Sequence, residues 1–452
     1  MSLRKLSTAV LLVASLAAPS RAQNAPPGDS PRQLSLSGAV HLALAHNHVV
    51  RIAQFQVEAK QHAKEVARSA YFPQISNETT AVQVTDTQFI QIAAGSLGNS
   101  GGAGIPAQNV TLNQGGHTLI VSGTGLVQPL TQLFTKVRPE NDIARADLNA
   151  SRDSARQTEN EIALKVHQLY YGILVAELRR KAAEARIKAA DDLKAERQQQ
   201  VKFGSALEQD LIESQAAALQ ARQDLLTTEL QLSDLTMQLD DLMGLPVSTP
   251  LQLDPSVPAV PDVCKLEDCV KAALESHPEI LEAREEVSKA AAAVKLSKAD
   301  YFPDVSAIAR YSYSDQVPFL ARNFGTFGGQ LTYDIFDGGR RRAQVAESNS
   351  DLAKAKENLA RVTEDVELQL QIAYNKLQRT REMVGVSQEA LDLRTEASRV
   401  YSQQLQRGEA LPSQSDQAVA QEFQARMLLL QSQLDFIQAY DEVTTAMGKT
   451  PE

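Results

Sequence analysis

The chain repeats itself, and that constrains its fold more than any single residue does. Tyr71-Phe72-Pro73 recurs as Tyr301-Phe302-Pro303, an offset of 230 residues. Val40, Ala43, Leu44, Ala53, Val57 and Ala63 recur at the same offset as Val270, Ala273, Leu274, Ala283, Val287 and Ala293. Further on the offset becomes 204: Gly204-Ser205-Ala206-Leu207 answers Gly408-Glu409-Ala410-Leu411, and Met243-Gly244 answers Met447-Gly448. A duplication of this length predicts two like structural units related by pseudo-symmetry.

The N-terminus reads as an export signal over residues 1–22, with a charged Arg4-Lys5 start, an apolar run over Thr8 to Ala18 and a Ser20-Arg21-Ala22 cleavage site. No Cys follows that site, so a lipid-anchored mature end is not expected. Removing Arg4, Lys5 and Arg21 shifts the net charge from −10 to −13, which argues against nucleic acid as a partner. Beyond the signal no apolar run is long enough for a membrane helix, so a membrane role has to use strands. Trp is absent, aromatics are few, and Ala, Gln, Leu, Glu and Arg abound, as in long helices packed on one another.

The organisation follows. Residues 23–34 are expected as a flexible lead and 35–246 as the first repeat. A Pro-rich linker over 247–264, a second repeat over 265–448 and a tail over 449–452 complete the chain. In the first repeat, helical spacing runs from Leu36 to Ala70, where Pro73 stops it. Ile75 to Gln91 and His117 to Pro129 read as strands flanking a flexible, Gly-rich loop over Ala93 to Gly116. Asn141 to Lys202 predicts a helix about 93 Å long at roughly 1.5 Å per residue. Gly204 breaks it, and Ser205 with Glu208 reads as a capping box for the next helix, ending near Met243. The second repeat predicts helix Leu266 to Lys298, strands Asp304 to Ser314 and Phe327 to Phe336, a long helix Arg340 to Gln406, a break at Gly408 and a last helix ending at Met447. From the Pro after Tyr-Phe to the next matched residue takes 89 residues in the first copy and 63 in the second. The surplus falls in the Gly-rich loop, which belongs on an unconstrained surface.

Helices this long need neighbours along their whole length, in a bundle or an oligomeric tube. Two strands per copy leave sheet edges that cannot stay open in a bilayer, so other subunits must close them. Three chains would give an even twelve strands.

This order, twice over, resembles the TolC-type outer membrane efflux protein (outer membrane factor) family. The residues carrying the likeness are Ala70-Tyr71-Phe72-Pro73 and Asp300-Tyr301-Phe302-Pro303, Gln128-Pro129-Leu130 and Asp334-Ile335-Phe336-Asp337-Gly338-Gly339. The tips Phe203 to Leu207 and Arg407 to Leu411, and the closing Leu242-Met243-Gly244 and Ala446-Met447-Gly448, carry it too. The resemblance implies a mainly α fold with a small β part: a homotrimer whose α-helical periplasmic barrel continues a 12-stranded transmembrane β-barrel in outer-membrane lipid. It also implies a passive exit duct, not an enzyme, working with a periplasmic adaptor and an inner-membrane pump to export drugs, metals or other small solutes. An outer-membrane component of type I protein secretion, or a structural periplasmic coiled coil, is the alternative.

In that family acidic residues and hydrogen bonds at the periplasmic tip form a gate. The resemblance places the tip at Gly204, Ser205, Asp210, Gly408, Glu409, Gln414, Asp416 and Gln417. Asp210 matches a family acidic position; the second-copy acidic pair falls here on Gln414 and Gln417, with Asp416 next door, a departure from the family pattern. Asp210 is thus read either as a gate residue or as a solvated tip carboxylate.

Other features carry less. Cys264 and Cys269, in an oxidising compartment, occupy the two staple positions around a Lys265 cap and are read as a local disulfide or as two reduced thiols. His41, His46, His48 and His62 have non-ligating counterparts and read as surface or packing residues. Gly98 to Gly104 precedes no helix and is not a phosphate loop. Tyr71, Phe72, Tyr301 and Phe302 read as an interfacial girdle or as core packing. Asp337 to Arg342 reads as a lipid-phosphate contact or as a solvated turn. No catalytic constellation, metal site or cofactor is expected.

Overall fold

The computed structural model describes residues 32–451 except 95, 97, 101–102, 105, 114, 248, 257–263 and 316–320. The export signal, most of the expected lead and part of the linker lie outside the described residues.

Hydrophobic periodicity and glycine punctuation make each repeat a helix pair, a strand pair, a long helix and a returning helix. In the first, β1 (Arg32–Leu34) precedes α1 (Leu36–His46) and α2 (His48–Ser69). Strands β2 (Gln74–Val84), β3 (Gln88–Ile92), β4 (Asn99–Ser100), β5 (Ala103–Gly104), β6 (Gln108–Asn113) and β7 (His117–Pro129) follow. A short α3 (Leu130–Thr135) leads to α4 (Val137–Lys202) and α5 (Glu208–Leu242). After β8 (Leu251–Leu253), the second repeat comprises α6 (Leu266–Ser276), α7 (Pro278–Ala299), β9 (Asp304–Asp315), β10 (Asn323–Thr332), α8 (Arg340–Gln406) and α9 (Pro412–Ala446).

Five expectations are corrected. The single first helix of each repeat is two. In the first copy Asn47 breaks it: its side-chain oxygen accepts from Val49 N–H at 2.8 Å, and its amide donates to the Leu242 carbonyl at 3.1 Å. In the second, His277 stands at the break and Pro278 opens α7, where its missing N–H costs nothing. The strand expected over Ile75 to Gln91 divides at Thr85 to Thr87, where the ladder shifts register near Gln88. The Gly-rich loop is not simply flexible: β3 pairs with β6 and β4 with β5, so the surplus extends the first hairpin as further ladders. The last strand runs Asn323–Thr332, not Phe327 to Phe336, because its partner β9 begins at Asp304, opposite Thr332. Finally, lead and linker meet: β1 pairs in parallel with β8, and the Tyr170 hydroxyl lies 3.0 Å from the Leu34 carbonyl and accepts Asp254 N–H at 3.0 Å.

The main sheet has the order β10-β9-β7-β2, all antiparallel, so among the described residues β10 and β2 are open edges. Helices α1, α2 and α5, of 11, 22 and 35 residues, lie along α4, which has 66. Laid end to end they match its length of about 99 Å. Two cores form near the helix breaks. One gathers Ala39, Ala43, Val166, Tyr170, Leu239 and Met243; the other Ala273, Ile280, Val366, Leu370, Val443 and Met447. Among the described residues no helix is long and apolar enough to cross a membrane, which says nothing of the strands.

Candidate functional site at the helical tip

The turn between α4 and α5, and its counterpart between α8 and α9, lie one long-helix length, about 100 Å, from the sheet. Each turn pivots on a glycine in the left-handed region, Gly204 at φ +69° and Gly408 at φ +74°. A Cβ there strains the backbone even though open space surrounds both positions.

The capping box read from Ser205 and Glu208 does not form. The Ser205 hydroxyl turns back and donates to the Gln200 carbonyl at 3.0 Å, closing α4. Leu207 is the N-cap of α5, and the Asp210 carboxylate accepts its N–H at 3.1 Å. At the equivalent turn the Gln414 side-chain oxygen accepts Leu411 N–H, again at 3.1 Å. Asp210 and Gln414 therefore perform one local task, closing the first turn of a helix. Glu409 contributes its backbone N–H to the Gln404 carbonyl at 2.8 Å.

Asp416 faces inward along the seam between α4 and α9, where Lys188 meets it at 3.1 Å. Asp192 hydrogen-bonds the same carboxylate, and that bond with some desolvation pushes the Asp192 carboxyl above its ordinary range. Burial works to raise Asp416, but the bonds from Asp192 and Lys188 outweigh it and hold that carboxyl low. One step nearer the tip Ser413 donates to Glu196. Gln417 lines a groove of about 620 Å³ between α4, α5 and α9. On the other flank Arg186 meets Asp224 at 2.8 Å and Arg222 meets Asp191 at 3.2 Å, tying α4 to α5. Phe203, Leu207 and Leu411 are exposed at the apex.

Lys188, Asp192, Glu196 and Ser413 escaped the sequence reading. They belong to no motif, and their bonds between α4 and α9 exist only once those helices pair. His167 escaped too. It is fully buried on α4, and its Nδ1 lies 2.7 Å from Asp441 of α9, whose carboxyl burial pushes up against the pull of His167. Far from the tip, Cys264 and Cys269 are joined by a disulfide, Cα to Cα 5.8 Å, with Lys265 as the helix cap between them. His62 is exposed beside Glu65 and Glu58.

A duplicated chain that joins a four-stranded sheet with open edges to helices of about 100 Å, ending in two glycine turns, has the build of a channel protomer. The pattern of the family described as "Outer membrane efflux protein" matches residues 39–245 and 269–449. The chain belongs to that family: it is an efflux protein of the outer membrane with a periplasmic part. It is 24% identical over 371 residues to the outer membrane efflux protein BepC of Brucella suis biovar 1 (strain 1330), covering 79% of this chain and 73% of that one. Its fold is similar to that of the outer membrane protein VceC of Vibrio cholerae, with a TM-score of 0.73 at 14% identity over 92% of this chain and 97% of that one. The MtrE outer membrane channel of Neisseria gonorrhoeae gives 0.70 at 16% identity, over 92% and 89%. Family and fold are those of efflux channels rather than enzymes.

Proposed function

We propose that the protein is the passive outer-membrane exit duct of a tripartite exporter, assembled as a homotrimer and gated at its periplasmic tip. Residues 1–22 are a cleaved export signal, 35–246 and 265–448 the two repeats, and 247–264 their linker. The observation that carries the reading is the four-stranded sheet with both edges, β10 and β2, unpaired among the described residues. In a bilayer such edges must close. Three chains joined edge to edge make a barrel of twelve strands, an even number as expected.

The helices support the same assembly. Ile212, Leu219, Leu226, Leu230 and Met237 form an exposed apolar stripe on α5. Their counterparts at the 204 offset are Asp416, Phe423, Leu430, Leu434 and Asp441 of α9. Within that set Asp416 and Asp441 bond to α4, and Leu430 and Leu434 pack in its core. By duplication the α5 stripe meets α8 of a neighbouring copy, which itself leaves Met383, Val386 and Leu393 exposed. Six coiled pairs then close a twelve-helix tunnel.

The tip residues Gly204, Ser205, Asp210, Gly408, Glu409, Gln414, Asp416 and Gln417 form the docking and gating end. Exposed Phe203, Leu207 and Leu411 offer an adaptor an apolar contact. An inner-membrane pump supplies the energy, and small solutes such as drugs or metals are the cargo. Cross-linking of the detergent-purified protein should give a trimer. Gly408→Val should keep trimer yield and abolish export, read as drug susceptibility of a strain lacking its own duct. Monomer alone would sink the assembly; intact export with Gly408→Val would sink the tip assignment.

A further inference from the structure

Where the strands end and the long helices begin, the two copies expose the same pair of chemistries. Arg138 in the first turn of α4 and Arg342 in the first turn of α8 are counterparts at the 204 offset, and both are exposed. The residue before each is buried, Val137 and Arg341, so the turn is held while its neighbour faces out. Arg341 is consumed by the fold: it donates to the Asp334 carbonyl at 2.7 Å, meets Asp337 at 3.5 Å and lies 5.0 Å over the Tyr333 ring. Lys136 is neutralised by Asp300 at 2.9 Å, and Arg340 lies 3.6 Å from Asp334. Arg138 and Arg342 have neither an ion pair nor a hydrogen bond among the described residues.

Beside these two cations stand side chains that water does not suit. Phe134 is 80% exposed, Ile335 91% and Phe336 89%, all between a strand end and a helix start. Phe72 and Phe302 extend the band on the other strand ends. A belt of apolar side chains continuous with membrane strands, edged by unpaired guanidinium groups, matches the boundary between acyl chains and headgroups. Guanidinium pairs with phosphate through parallel N–H donors.

We infer that Arg138 and Arg342, with Phe134, Ile335 and Phe336, form two pseudo-equivalent sites on each protomer for the headgroup phosphate of anionic phospholipids in the periplasmic leaflet. The inference rests on the membrane-barrel reading above. The surface departs from a merely solvated turn because the unpaired arginine recurs at the matched position in both copies and Phe72 recurs as Phe302, with exposed apolar side chains near each arginine, although the connecting segments differ, helical in one and a glycine turn in the other.

Native mass spectrometry of the purified trimer with phosphatidylglycerol, against phosphatidylcholine, tests it. The unaltered protein should retain phosphatidylglycerol preferentially. Arg138→Gln with Arg342→Gln should weaken retention about fivefold per site, the effect of one interfacial cation. Arg379→Gln, an exposed mid-helix position paired with Glu382, should change nothing. Unchanged retention by the double variant, equal retention of phosphatidylcholine, or complete displacement by inorganic phosphate would overturn the lipid sites alone. An unaltered chain that fractionates away from membranes would overturn the barrel reading first.

Discussion

The seam between α4 and α9 and the bare face of α5 are built on the same register, yet only the first is filled inside the chain. Along the filled seam polar residues interrupt the apolar stripe at both ends: His167 with Asp441 deep in the bundle, Lys188 and Glu196 with Asp416 and Ser413 near the tip. Along the bare face the α5 counterparts of Asp441 and Asp416 are the apolar Met237 and Ile212, and only the counterpart of Ser413 next to the tip, Gln209, is polar. A contact formed as the chain folds can carry buried polar bonds, because its partners are held in register by covalent connection. A contact made between copies relies on apolar area, which is tolerant of approach.

Placing charge on the bare face should have the largest effect. Leu226→Glu with Leu230→Glu should abolish trimer, measured by cross-linking or light scattering, while the isolated chain keeps its helicity by circular dichroism. The same two substitutions at Leu430 and Leu434 should unfold the chain instead, because those side chains pack against α4.

Next comes an exchange of the two chemistries. Asp441→Met copies the bare-face residue into the filled seam and leaves the His167 Nδ1 without its partner. The expected loss is about 2 kcal/mol, the usual cost of a stranded buried polar group. Adding His167→Gln, the residue found at the α8 counterpart Gln371, should recover part of it in a double-mutant cycle read by thermal unfolding. Additive losses would mean that the two groups are not coupled.

Smaller effects should separate the two repeat ends. A Cβ at Gly448 would meet the His277 Cα at 2.7 Å and Pro278 Cδ at 2.9 Å; at Gly244 the nearest atom is His46 Cβ at 3.0 Å. Gly448→Ala should therefore cost more than Gly244→Ala. Overpacking of this kind costs about 1–3 kcal/mol, and both positions add left-handed strain. Equal shifts in melting temperature would show that the backbone conformation alone decides.

The smallest effect expected is a pH response of the tip seam. Asp192 holds its proton above the ordinary carboxylate range, so the bond it makes to Asp416 is complete in acid and is lost as pH rises through that raised value. Asp416 is held low, so its pairing with Lys188 is present above the unfolded value and fails only as pH falls through the lowered one. Both bonds coexist between the lowered value of Asp416 and the raised value of Asp192, and single-channel conductance should be lowest in that window. Conductance should rise as pH climbs through the raised Asp192 value, and Asp192→Asn should remove that response. A pH profile left unchanged by this substitution would assign the response elsewhere.

Much of this was legible in the residues. The repeated Tyr-Phe-Pro stops, the proline-free run from Glu140 to Leu245 and the matched glycines 204 and 408 specify long helices, strand pairs and turns, because each acts through backbone preference and periodicity over a few neighbouring residues. The break at Asn47 was not legible, since an Asn inside an apolar helical pattern reveals its cap only when the Leu242 carbonyl, 195 residues on, takes its amide. Nor was the role of Asp416 legible: spacing from Gly408 placed it at the tip, but which way it faces depends on α4. His167 gains its partner only where α9 brings Asp441 to it. By itself the sequence determined the duplication, the order of the main elements and the length of the long helices, which are local properties. Tertiary structure alone decided which polar side chains pair across a seam and which apolar stripe is left for another copy. Those outcomes depend on packing between helices hundreds of residues apart, where burial and a partner's position set the energy rather than the identity of neighbours in the chain.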